Sequence, residues 1–228
     1  MVNASRVLAA VVVPIALGSF DAQAVTVDLT AGAAGTTFSN QSFNETRAAD
    51  VKVLSPLDLS VANMVLREFN VGPGASGTLG ARIYDSVSGT LLSSGSAPVA
   101  AGANQSLTVP VTATLAAGHT YRVGFFLDVG GSAGSGDFID VNPPGLPITP
   151  YTENTGLLQI TGTFQQLTDS FPTNQNFGLP FISLDVTPVP EPAKWVSLAA
   201  GLLMLVVVGY KRGVLPRIIA SMPIARTA

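Results

Sequence analysis

The chain of 228 residues has no cysteine, one histidine, one tryptophan and 11% charged residues. Each shortage removes a class of chemistry. Without Cys there is no disulfide staple, no thiol nucleophile and no thiolate metal site. With His119 as the sole imidazole, a serine–histidine pair has one candidate base for the whole chain. The lone Trp195 lies near the C-terminus, so the body retains only Tyr84, Tyr121 and Tyr151 beside its phenylalanines. Basic residues are scarce as well. Arg47, Lys52, Arg67, Arg82 and Arg122 stand against thirteen acidic residues between Val25 and Pro192, a net charge of −8. Nucleic-acid binding needs clustered Lys and Arg to displace counterions, so no nucleic-acid partner is expected. Helical periodicity is also missing from the body.

What remains is strand and turn. Val25–Leu29, Val61–Val71 and Thr78–Asp85 alternate or are β-rich, and Gly72-Pro73-Gly74 separates the last two. Leu107, Val109, Val111, Ala113 and Leu115 share one face of a period-two run. Pro110 lies on the other face, which marks an edge strand. Thr120–Asp128 turns Tyr121, Val123, Phe125 and Leu127 inward. Gly156–Gln165 and Pro180–Val186 supply the last strands. Gly130–Asn142 reads as a glycine-rich loop, extended by four prolines to Pro150. Many short strands with turns between them predict an all-β fold, a β-sandwich or jelly-roll.

Several short patterns carry chemical meaning only in the right context. Gly72-Pro73-Gly74-Ala75-Ser76-Gly77 spells a dinucleotide fingerprint, but a strand follows it instead of a helix, so a hairpin loop is expected. Gly130-Gly131-Ser132-Ala133-Gly134 spells a nucleophile elbow, yet His119 precedes it and the loop continues after it. Asp137, Asp140 and Asn142, with Asp128, offer hard oxygens of the kind Ca²⁺ takes, without EF-hand spacing. No catalytic residue, metal site or cofactor is therefore assigned.

The two ends are more informative. Arg6, the apolar run Val7–Leu17 and the small-x-small site Ala22-Gln23-Ala24 resemble a secretory signal peptide over residues 1–24. Signal peptidase would then leave Val25 as the mature N-terminus. Near the other end stand Pro190-Glu191-Pro192, an uncharged run from Trp195 to Tyr210, and Lys211-Arg212. Proline lacks the amide donor and fixes φ, so the triplet is extended and accessible. As a helix, residues 195–210 would span roughly 24 Å, short for a bilayer core of about 30 Å unless flanking Lys and Arg snorkel. Trp195 and Tyr210 suit the two interfaces, and Lys211, Arg212, Arg217 and Arg226 put the far side in the cytoplasm.

The ordered triplet, helix and basic cluster over residues 188–212 resemble the sorting tail of bacterial PEP-CTERM proteins. In that family an exosortase, a membrane transpeptidase, recognises the tail of exported proteins in Gram-negative bacteria that make extracellular polysaccharide. The resemblance implies an inner-membrane precursor with its body, residues 25–187, in the periplasm. Residues 213–228 would form a cytoplasmic tail, and the processed body would reach the cell surface. Part of the body, Ala81-Arg82-Ile83-Tyr84-Asp85 through Gly89 to Tyr121-Arg122-Val123-Gly124, resembles the β-sandwich ectodomains that precede such tails. The expected function is that of a non-catalytic surface or matrix protein associated with exopolysaccharide. The alternative is a carbohydrate-binding or adhesion module.

Overall fold

In the computed structural model the described residues are 23–33, 35–42, 45–129, 136–142, 148–175, 178–189 and 200–204. They are nearly all strand. In chain order these are β1 (Val25–Asp28), β2 (Thr36–Ser42), β3 (Glu45–Val53), β4 (Asp58–Asp85), β5 (Leu91–Leu115), β6 (Thr120–Val129), β7 (Gly136–Asn142), β8 (Tyr151–Thr152), β9 (Leu158–Gln166), β10 (Asn174–Gln175) and β11 (Leu179–Val189). All pairings are antiparallel, and they join the strands into one continuous sheet, β1-β11-β7-β4-β6-β3-β9-β10. The strand β2 adds to β7, β5 to β4 and β8 to β9, and β11 also pairs with β4.

Two long strands fold this sheet over. Residues 58–67 of β4 pair with β11 and residues 69–71 with β7, whereas residues 77–85 pair with β6. The partner β5 follows the same bend, with residues 91–100 against the second half of β4 and residues 102–115 against the first. Leu59, Met64 and Leu66 from one half and Leu79 and Ile83 from the other are buried in a single cluster. At the open side the halves of β5 meet. A Cβ on Gly95 would lie 2.0 Å from the Pro110 carbonyl oxygen. The result is two strand layers over one core, consistent with the expected β-sandwich.

Alternation explains most of the elements. Tyr121, Val123, Phe125 and Leu127 of β6 are buried, as are Val109, Val111 and Leu115 of β5, while Pro110 is exposed. Among the described residues β5 pairs only with β4, so it is an edge. Prolines 98 and 110 blunt it, because each removes a backbone donor that an incoming strand would need.

Three expectations are corrected. Residues 72–77 are not a hairpin loop. They lie inside β4, at the bend, where residues 72–75 stand opposite Ala101 alone between the pairs Val71–Gly102 and Ser76–Ala100. Residues 136–142, expected in a loop, form β7, which pairs with β2, β4 and β11. The strands β2 and β3 were not anticipated at all. In β3 Glu45 and Arg47 are buried on the same face as Ala49, Val51 and Val53, and Thr46 is buried on the other, so neither hidden face looks wholly apolar.

The bend divides the molecule into two ends. Beside it lie residues 70–77 and 100–105. At the other end Val189 stands opposite Asp58, and Asp58 accepts a hydrogen bond from the Ala117 amide at 2.9 Å. The Gly118 amide donates to the Val53 carbonyl, Leu54 to Leu157, and the Ser86 hydroxyl to Thr120. Residues 53–58, 86–90, 116–120 and 157 thus close one end, roughly 40 Å from Val71 at about 3.3 Å per residue along β4.

The seam at Gly95 is directly testable. Gly95→Ala should destabilise the domain by about 1–3 kcal/mol, because the new methyl meets backbone that cannot turn away. Exposed Ser94→Ala should stay within about 0.5 kcal/mol of the parent. Urea unfolding of the two variants compares them, and a neutral Gly95→Ala would mean that the halves of β5 do not touch.

Candidate functional site

The chain leaves and enters the domain at the same end. Ala24 is exposed and outside regular structure, and β1 begins at Val25. Val25 pairs with Val186 and Asp28 with Ser183. The opposite side of β11 pairs with β4 through Pro188 and Val189. Asp185 stitches the three strands together. Its carboxylate accepts from the Thr26 hydroxyl at 2.7 Å and from the Asn63 side-chain amide at 3.2 Å. Ala22, Pro190, Glu191, Pro192, Trp195, Tyr210, Lys211 and Arg212 lie outside the described residues. Within the expected spanning segment only residues 200–204 are described, and they are helical with Leu203 and Met204 exposed. No helix among the described residues is long and apolar enough to cross a membrane.

The chemically suggestive residues of the body do not converge. His119 sits exposed in a turn after Gly118, whose φ is +78°. Ser132 lies outside the described residues. Asp128 is exposed on β6, whereas Asp140 on β7 is fully buried. No group of three His, Asp or Glu side chains that could hold a metal ion occurs among the described residues. The three body tyrosines are held by structure. Tyr121 accepts a hydrogen bond from the Ala116 amide at 2.8 Å, Tyr151 donates to the Leu29 carbonyl at 2.7 Å, and Tyr84 meets Phe171 edge to face at 5.4 Å. None is a flat exposed platform for a sugar ring.

An open cleft of about 470 Å³ lies at the bend, lined by Asn70, Gly72, Pro73, Gly102 and Asp137 among others. It forms where β4 and β5 part. Asn70 takes over a ladder contact by accepting from the Asn104 amide at 2.7 Å, and Gln105 donates to the carbonyls of Ala100 and Gly102. Glu68 and Asn104, both non-glycine with positive φ (58° and 50°), flank it. No helix follows residues 72–77, so the cleft lacks the helix terminus that would receive a pyrophosphate.

Sequence reasoning missed the arginines. Each of the body's four is engaged by a carboxylate: Arg47 by Glu45 at 2.8 Å, Arg67 by Asp28, Arg82 by Asp169 and Arg122 by Asp50. Arg122 is also stacked between Phe164, 3.3 Å from its ring centroid, and Phe171 at 4.5 Å, and it donates to the Pro172 carbonyl. With Arg82–Asp169 and the Thr46 hydroxyl on the Thr168 carbonyl, it straps residues 168–172 across the outer face of the sheet. No periodicity marks such pairs, because their partners are 72 and 87 residues apart.

No family model and no curated protein matches the chain. Among solved structures it is similar to chains of infectious bursal disease virus. A mutant VP2 protein in derived T=1 particles is 16% identical, with a TM-score of 0.27, over 83% of this chain and 48% of that one. A chain of the T13 viral particle is 15% identical, with the same TM-score, over 83% and 47%. The chain thus spans about half the length of these viral chains. A likeness of that extent assigns neither a fold family nor a function.

Asp140 gives the body a pH signature. Burial pushes its carboxyl from 3.8 up to about 6; Arg47, 3.7 Å away, pulls it down and Glu45 pushes it up, both less strongly. A carboxyl with a raised folded pKa binds its proton more tightly when folded. It therefore favours folding at low pH and disfavours it as pH rises between about 4 and 6. A rise of two pKa units corresponds to about 3 kcal/mol at neutral pH. Asp140→Asn should remove that slope, so that its stability gains on the parent as pH rises from 4 to 7. Parallel stability–pH curves for the two proteins would contradict the assignment.

Proposed function

We propose that the protein is an exported, non-catalytic surface or matrix component. In this reading the β-sandwich body is carried to the outer face of the inner membrane and released there by an exosortase acting at Pro190-Glu191-Pro192. The observation that carries the reading is the end of β11. The ladder with β4 runs to the Val189–Asp58 pair, and the triplet begins at the next residue. The described strands thus end where the donor-poor triplet begins, and cutting within residues 190–192 would remove none of them. The start of β1 at Val25 supports the other boundary, since cleavage after Ala24 would also leave every described strand whole.

The body's low charge and net acidity suit a soluble outer-surface domain in contact with exopolysaccharide. The carbohydrate-binding alternative would use the cleft at the bend, which offers Asn70, Asp137 and backbone groups but no aromatic side chain.

The sorting claim is tested by expressing the full chain in hosts with and without an exosortase and sizing the membrane and released fractions by mass spectrometry. The expected released form begins at Val25, ends within Pro190–Pro192 and appears only with the enzyme. Glu191→Ala or deletion of the triplet should leave the full-length mature chain in the membrane. Identical release from both hosts, or a released form that retains residues 195–210, would show that the tail is not an exosortase signal.

A further inference from the structure

We infer that the end of the domain from which the tail emerges is a membrane-resting surface, and that its occupant is the phospholipid headgroup layer into which the chain's own tail inserts. The inference rests on the reading of residues 195–210 as a spanning helix.

Three observations carry it. The first is where the exposed apolar side chains are. Leu54, Val87, Leu91 and Leu92 are exposed, and all four lie at the tail-proximal end. Leu54 bonds to Leu157 beside the 116–119 turn, and residues 86–91 close the β4–β5 hairpin next to Thr120. Val87 is 93% exposed at the tip of its turn. At the opposite end, Leu167 is the one large exposed apolar side chain among the described residues. Single exposed apolar residues are ordinary, but several gathered at one end mark a surface with a partner.

The second observation is what the carboxylates there do. Asp58 is turned onto the Ala117 amide. Asp85 accepts from the amides of Val87 and Ser88 at 3.1 and 2.6 Å, bonds that hold its carboxyl below the usual range. Glu153 is buried under the amides of Thr155, Leu157 and Leu158. These acids cap turns and leave the apolar tips projecting, with Lys52 and His119 exposed among them. An apolar rim with exposed Lys52 beside it fits a headgroup layer.

The third is reach. Val189 is fixed in the sheet, and Trp195 is six residues on. Fully extended chain covers at most about 3.3–3.6 Å per residue, so the domain's end stays within roughly 20 Å of the interface that Trp195 would occupy. The tether is too short to let the domain turn its other end to the bilayer.

The absence of cysteine makes the test clean. Single cysteines replacing Val87, Leu92, Leu167 or Val206 in the mature full-length chain are labelled with a nitrobenzoxadiazole fluorophore. The chains are inserted into phosphatidylcholine–phosphatidylglycerol vesicles carrying headgroup or acyl-chain spin labels. Circular dichroism checks that each variant keeps its strand spectrum. The expected result is several-fold stronger headgroup quenching and a blue-shifted emission at 87 and 92 relative to 167, with acyl-chain quenching at 206. Quenching at 206 but equal, weak quenching at 87, 92 and 167 would overturn the resting surface and leave the spanning helix standing. No quenching at 206 would overturn both. Blue-shifted emission at 87 and 92 in the released body without lipid would mean that a second copy covers the patch, and that too would overturn the membrane contact.

Discussion

Everything in this fold waits for β11. It is the last strand made, yet it sits inside the sheet, between β1 and the first half of β4. Its partners β1 and β4 lie more than a hundred residues earlier, so these ladders are non-local pairings whose loop-closure entropy is met only when the whole body is available. Ile182, Leu184 and Val186 carry β11 into the core and are fully buried. A domain built this way cannot finish folding until the chain is available as far as Val189.

The second organising device is the bend in β4 and β5. One hairpin of two long strands serves both layers, so the layers share a continuous backbone in place of a crossover. The cost appears at the bend as register breaks and two positive-φ side-chain residues. Polar side chains repair it locally, through Asn70 and Gln105. On the outer face the strap over Arg122 performs a related task. A guanidinium held by Asp50 and stacked between two rings is well satisfied, and removing one partner of such a pair costs far more than the pair contributes. These contacts fix where residues 168–172 lie more than they raise stability.

The legible parts of the sequence were those where burial follows period two. The faces of β6 and the second half of β5 could be read residue by residue, and Pro110 marked its edge. The strand β3 was hidden because its buried side includes Glu45 and Arg47, which pair with each other and lie beside Asp140 from distant chain. The strand β7 was hidden because Asp137 and Asp140 gave turn signals, although Asp140 is a core residue beside Arg47. The bend was mistaken for a hairpin since glycine and proline mark both. The triplet Pro190, Glu191 and Pro192, proposed as a sorting signal, was legible as a motif in sequence alone, and it lies outside the described residues.

The central claim is that the domain is complete at Val189 and incomplete without β11. Equilibrium urea unfolding of residues 25–189 and of residues 25–178 tests it most directly. The account predicts one cooperative transition for the longer protein, with the same midpoint as the body carrying its tail, and no cooperative transition for the shorter one. A shorter protein that unfolds cooperatively at the same midpoint, or a longer one that folds only when residues beyond 189 are restored, would contradict it.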